Sequence, residues 1–115
     1  MILVVDDDVL VLNTVGRMLQ GLSYNPDAHD TPAAAYEAFA AAPERYDAIL
    51  ADLSMPGETG VQLAERAREV RPDIPVAIMT GNVSALDDTE IPFIAKPMQM
   101  AELSACLREL LGRTD

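Results

Sequence analysis

Apolar positions along this chain follow two alternating patterns: short continuous runs, and longer stretches at helical spacing. Residues 1–5 form a continuous apolar run and predict a buried strand. Val11, Leu12, Val15, Met18, Leu19 and Leu22 then recur at helical spacing. They predict a helix to about Gln20, capped by Asp7 or Asp8, with Gly21 at its C-terminus. Residues 24–30 are polar and interrupted by Pro26, so a strand there would lie at a sheet edge. Thr31-Pro32 supplies an N-cap and a first-turn proline for an Ala-rich helix to about Ala42, which Pro43 ends. Residues 47–51 predict the next strand, and 54–58 a loop. Thr59 caps a helix from Gly60 to about Val70, with Val61, Ala64, Ala67 and Val70 on one face. Pro72 and Pro75 bracket the turn into a strand at 76–79, which ends on Thr80-Gly81. Residues 92–95 predict a short strand ending at Lys96-Pro97. The last helix, at about 100–111, places Leu103, Leu107, Leu110 and Leu111 on one face.

Strands and helices thus alternate five times, without repeats or linkers, as a single domain spanning residues 1–115. Alternation predicts parallel strands, right-handed crossovers and helices on both faces of the sheet. All carboxyl ends of the strands then share one edge, where open α/β sheets place their sites. That edge gathers Asp6, Asp7, Asp52, Thr80 and Lys96, which are far apart in the chain. The run 48–51, ending on Asp52 just before a turn, is the clearest such strand end.

Composition narrows the function. No apolar stretch is long enough to span a bilayer, and no basic segment precedes one as in a signal peptide. The single cysteine, Cys106, allows no internal disulfide and gives no metal motif; it is read as a small apolar residue of the last helix. A soluble, cytoplasmic domain is expected. A net charge of −11, from 8 basic and 19 acidic residues, argues against nucleic-acid binding, which needs cations to displace counterions. It favours a bound metal cation or a partner with a basic rim. His29 stands alone in a polar stretch and is read as a solvated surface residue, and the six methionines as gap fillers.

Three carboxylates brought together repel one another, and a divalent cation offsets that cost. Mg²⁺ prefers hard oxygen ligands and keeps several waters. Two carboxylates and one loop carbonyl would suit it, leaving positions for water or a phosphoryl oxygen. Lys96 adds a compact positive charge, and Thr80 a hydroxyl. An aspartate nucleophile, a cation, a lysine and a hydroxyl make a phosphoryl-transfer site. Asp8 is read as a helix cap instead.

These residues, in this order, resemble the receiver domain of two-component response regulators over essentially the whole chain. Val4-Val5-Asp6-Asp7 resembles that family's acidic pair after the first strand. Asp52 with Met55-Pro56 and Gly60 resembles its phospho-acceptor segment, Thr80 its switch hydroxyl, and Lys96-Pro97 its lysine with a cis-type proline bond. The resemblance implies a flavodoxin-like doubly wound sheet of order 2-1-3-4-5. It implies that Asp52 accepts a phosphoryl group from the phosphohistidine of a sensor histidine kinase or histidine phosphotransfer domain. Asp6, Asp7, Asp52 and the Ser54 backbone carbonyl would hold Mg²⁺, and Lys96 would bind a phosphoryl oxygen. Thr80 would move toward the phosphoryl group, and Phe93 would turn inward with it. Ser54 and Asn82 match positions that tune autodephosphorylation, and their small side chains leave the attacking water less obstructed but less well oriented. The resemblance implies a phospho-acceptor with at most slow autodephosphorylation rather than an enzyme. Two departures stand out. Gly81 follows Thr80 where the family commonly carries a small side chain. Only 15 residues separate Thr80 from Lys96, and the polar segment 82–90 predicts that the family's fourth helix is missing or reduced to one turn. Shortened receivers of this kind also resemble those ending hybrid sensor kinases. No output domain is expected within residues 1–115, so output would pass by contact with an unidentified downstream protein or lie outside these residues.

Two rivals remain. Asp6-Asp7-Asp8 after a strand also resembles the start of haloacid-dehalogenase-type phosphatases, with Asp6 as nucleophile and Asp8 as general acid. Against this, Leu10 stands where that motif wants threonine, Asp87-Asp88 precede Lys96, and Asp52 has no task. A receiver-like module that binds without being phosphorylated is the other; the complete set of acids, hydroxyl and lysine argues against it.

Overall fold

The structure is a computed structural model that describes residues 1–81 and 91–112. Five parallel strands, β1 (Ile2–Val5), β2 (Pro26–His29), β3 (Ala48–Asp52), β4 (Val76–Thr80) and β5 (Phe93–Ala95), form one sheet in the order β2-β1-β3-β4-β5. Four helices are present among the described residues: α1 (Val9–Gly21), α2 (Pro32–Ala41), α3 (Gly60–Val70) and α4 (Met100–Leu110). The expected fold class and strand order are borne out. The expectation about the family's fourth helix falls on 82–90, outside the described residues.

The apolar runs are continuous because both faces of the sheet are covered. Leu3, Val5, Ile49, Ala51, Val76 and Ile78 pack on one side with Phe39 of α2 and Leu63 of α3. Ile2, Val4, Ala48, Leu50, Ala77 and Met79 pack on the other with Leu19 of α1 and Leu103 and Leu107 of α4. This alternation also sorts the polar strand ends. Asp6 continues the parity of Ile2 and Val4, Asp52 that of Ala48 and Leu50, and Lys96 that of Ile94. Three charged side chains therefore emerge on one side of the sheet edge.

The caps were legible. Asp8 accepts a hydrogen bond from the Leu10 N–H at 3.0 Å, and Thr31 accepts from Ala34 at 3.2 Å. Thr59 and Gln62 form a reciprocal capping box at the start of α3. β2 is an edge strand, as its proline required, with Pro26 opposite Ile2.

Several expectations need correction. Gly21 is the last residue of α1, as expected, but the left-handed residue beyond the helix is Ser23, at φ 71. The Ser23 and Tyr24 N–H groups reach back to the Gln20 and Leu19 carbonyls, so a serine carries the conformation usually given to glycine. Gly21 serves packing instead, since a β-carbon there would meet Met100 Cε at 3.0 Å. In α3 the buried positions are Gly60, Leu63, Ala64 and Ala67, while Val70 is exposed. Pro43 ends α2 but also opens a short 3-10 turn, Pro43–Arg45. His29 is not a solvated residue. Its Nε2 is buried, 3.1 Å from Asp27 Oδ2 but without a well-formed hydrogen bond. The same Asp27 oxygen accepts a hydrogen bond from the Tyr46 hydroxyl at 2.6 Å. Cys106 packs against the α1/α4 side of the core, and burial pushes its thiol pKa up.

Candidate functional site

β1, β3 and, across β4, β5 all end on the carboxyl edge and bring Asp6, Asp52 and Lys96 to one point. Asp6 is wholly buried, while Asp52 and Thr80 are nearly so. Asp7, one step further along, is exposed. Lys96 Nζ lies 2.9 Å from Asp6 Oδ2 and 2.8 Å from Asp52 Oδ1, bridging the two buried carboxylates. The other Asp6 oxygen accepts from the Asp8 N–H at 2.9 Å, so both Asp6 oxygens are engaged by the protein. The Lys96 N–H donates to the Thr80 carbonyl at 2.8 Å, which ties β5 to β4 beside the site. The Lys96-Pro97 peptide is cis, as the resemblance implied.

Electrostatics follows from this packing. Burial raises the Asp52 pKa above the usual carboxylate range. Lys96 opposes that shift, and the negative charges of Asp6 and Asp7 reinforce it. Lys96 is also raised: burial disfavours its charge, but Asp52 and Asp6 outweigh that. Together the three acids carry more negative charge than one lysine offsets. Each offers a carboxylate oxygen, and these lie within 4.8 Å of one another. A hard divalent cation fits that donor set in charge and chemistry, and Asp7 leaves one side open to solvent.

The β3–α3 loop borders the site. Leu53 donates its N–H to the Met79 carbonyl at 2.9 Å, and Gly60 closes the loop with an N–H bond to the Leu53 carbonyl at 3.0 Å. Met55 is buried, Ser54 is exposed, and Gly57 turns the chain with φ +88. Every site residue expected from the sequence within the described range lies at this edge except Phe93. That ring is half exposed at the start of β5. Asn82 lies outside the described residues. Sequence reasoning missed Glu58 and Arg66, which pair beside the loop with Nε–Oε2 and Nη2–Oε1 contacts both of 2.7 Å. Their separation of eight residues spans a loop and two helical turns, which no local pattern signals.

A doubly wound sheet with an acid cluster and a lysine at its carboxyl edge is the arrangement of a class of phosphoryl-acceptor domains. A match to the response regulator receiver domain family covers residues 2–108, and the chain belongs to that family. It is thus a receiver domain of the two-component type, a phospho-acceptor signalling module rather than a conventional enzyme. It is 32% identical over 119 residues to the response regulator MprA of Mycobacterium ulcerans, covering 98% of this chain and 50% of that protein. The chain therefore spans about half the length of the curated relatives it first matches. A putative response regulator from Chloroflexus aurantiacus superposes with a TM-score of 0.86 at 26% identity, covering 97% of each chain. The receiver domain of the sensor histidine kinase PA1611 from Pseudomonas aeruginosa matches with a TM-score of 0.84 at 26% identity, covering 96% of each chain; that structure has a magnesium ion in its active-site cleft. Membership sets aside the phosphatase reading. The geometry agrees on one point: Asp8, its general acid, caps α1. No described helix is long and apolar enough to cross a membrane.

Proposed function

We propose that Asp52 is the phospho-acceptor of a two-component pathway, and that Asp6, Asp7, Asp52 and the Ser54 carbonyl hold Mg²⁺ for the transfer. One observation carries this reading: Lys96 bridges the buried Asp6 and Asp52 beside an exposed third acid. The donor is a phosphohistidine of a sensor histidine kinase or histidine phosphotransfer domain. An Asp52 oxygen attacks phosphorus, the phosphorus–nitrogen bond breaks, and the imidazole leaves with a proton from solvent. Bound Mg²⁺ would supply charge neutralisation for the phosphoryl oxygens, as its presence in the PA1611 receiver supports. Lys96 holds Asp52 ionised and oriented before transfer, then donates to a phosphoryl oxygen while keeping Asp6. Thr80 offers its hydroxyl from the neighbouring strand end. The half-exposed ring of Phe93, two strand positions before Ala95, is the aromatic that turns inward with Thr80.

Ser54 is exposed and small, so its side chain leaves an attacking water unobstructed but does not orient it. Residues 1–115 act as one receiver unit in the cytoplasm, whose output passes by contact with another protein or lies outside these residues. The non-phosphorylated binding module is the remaining alternative.

Intact mass measured after incubation with Mg²⁺ and acetyl phosphate or phosphoramidate tests the reading. Wild type gains one phosphoryl group, Asp52→Asn gains none, and Asp6→Asn gains it more slowly. An adduct that survives in Asp52→Asn but is absent in Asp6→Asn overturns the assignment, and no adduct in any variant favours the binding module.

A further inference from the structure

The β3–α3 loop runs from Asp52 to Gly60 and is tied at both ends by backbone hydrogen bonds. Between them, Ser54, Pro56, Gly57 and Thr59 are exposed and give little burial to order the chain. Two side chains supply the order. Met55 is buried among the α2/α3-side core residues. Glu58 meets Arg66 of α3 through two parallel contacts of 2.7 Å, with the Glu58 side chain only 17% exposed. Arg66 in turn places its guanidinium 4.0 Å from the ring centre of Tyr36 on α2. The loop is therefore fastened to two helices through one guanidinium. A planar fork matched to a carboxylate fixes orientation as well as distance, and stacking on an aromatic ring removes the freedom of the long side chain. The Glu58 carboxylate holds the Arg66 charge more firmly than usual.

We propose that the Glu58–Arg66 pair, seated on Tyr36, is a positioning clamp that holds residues 53–59 in the arrangement from which the Ser54 carbonyl ligates the cation. The inference rests on the reading of Ser54 as a ligand given above. A loop ordered before binding does not lose that freedom when the ion arrives. Groups that orient metal ligands from outside the coordination sphere commonly change affinity by about tenfold or more. The clamp is partly exposed, so the lower end of that range applies.

The experiment compares wild type, Arg66→Ala, Arg66→Lys and Glu58→Gln. Mg²⁺ affinity is read from amide chemical shifts, thermal midpoints are read in EDTA, and phosphorylation by phosphoramidate is read at saturating Mg²⁺. Arg66→Ala and Glu58→Gln are expected to weaken Mg²⁺ binding about tenfold. Their phosphorylation rates at saturating Mg²⁺ should stay close to wild type. Arg66→Lys keeps the charge without the fork and should fall between. Unchanged Mg²⁺ affinity in a folded Arg66→Ala, with a lowered thermal midpoint, reduces the pair to a stabilising contact and overturns the clamp. If Arg66→Ala does not fold, wild-type affinity in Arg66→Lys and Glu58→Gln overturns it equally. A wild type that binds no Mg²⁺ overturns the ligand reading itself, a result distinct from the other two.

Discussion

Gly60 stands so close to the carbonyl of Asp52 that no side chain fits between them. A β-carbon at Gly60 would collide with the Asp52 carbonyl oxygen and lie 3.1 Å from Ile78 Cδ1. The glycine is required by approach, not by its backbone angles. Gly60→Ala should therefore shift the strand end itself, costing about 1–3 kcal/mol of stability, as overpacking does. Urea unfolding and the rate of phosphoryl uptake should both report it. A variant as stable and as reactive as wild type would show that the helix start relaxes freely.

Lys96 separates two buried carboxylates, so its removal should expose their repulsion. Lys96→Ala is expected to lose about 3 kcal/mol at neutral pH, the cost of leaving a buried charge without its partner. Mg²⁺ should restore much of that loss, because a cation replaces the missing positive charge. Thermal unfolding with and without Mg²⁺ is the measurement. Equal losses in both conditions would remove the link between lysine and cation.

Asp27 and Tyr46 shift each other's titration. Burial pushes the Asp27 pKa up, but the Tyr46 hydroxyl and the neighbouring His29 ring outweigh it and hold the carboxyl below its usual range. Its contribution to stability is full above the unfolded carboxyl value and disappears as pH falls through the lowered folded value. Tyr46 is pushed up to about 12 by burial and by the Asp27 carboxylate. Its contribution is full below the ordinary phenol value and disappears as pH rises through that raised one. Asp27→Asn should thus flatten the acid limb of the stability profile and bring Tyr46 ionisation down toward the ordinary value of about 10. Tyrosinate absorbance, with Tyr24 and Tyr36 replaced by phenylalanine, isolates the group. An unmoved alkaline titration would contradict the coupling.

Ser23 carries a left-handed backbone at the end of α1. An L side chain there costs about 1 kcal/mol, which glycine avoids while giving some back through the unfolded chain. Ser23→Gly should raise stability by about 0.5 kcal/mol in urea unfolding. A loss of stability would mean that the serine side chain contributes a bond of its own.

The parts legible in the sequence were those written in local patterns. The runs ending at Val5 and Ala51 read as buried strands because both faces of the sheet are covered, leaving no polar alternation to confuse with a helix. Asp6, Asp52, Thr80 and Lys96 could be placed on one edge because parallel topology puts every strand's carboxyl end there. What stayed hidden depends on contacts distant in sequence. His29 looked solvated because nothing nearby indicates that Tyr46, from the far side of α2, will engage the Asp27 carboxylate that His29 faces. Leu63 was overlooked and Val70 misplaced because α3 turns its last residue to solvent as the chain leaves for β4. The Glu58–Arg66 pair spans a loop whose path only the folded chain sets.

The strands on the two sides of the acid cluster differ greatly in how firmly they are anchored. All five residues of β3 are buried, whereas β5 has three residues and only Ile94 is buried. Opening free energy follows buried contact, so fluctuations should concentrate on the strand leading to the lysine and spare the one bearing Asp52. Asp52, the proposed acceptor, then belongs to a stationary wall, and the counter-charge to a compliant one. A chemical event at the first can be expressed as displacement of the second without disturbing the centre of the sheet.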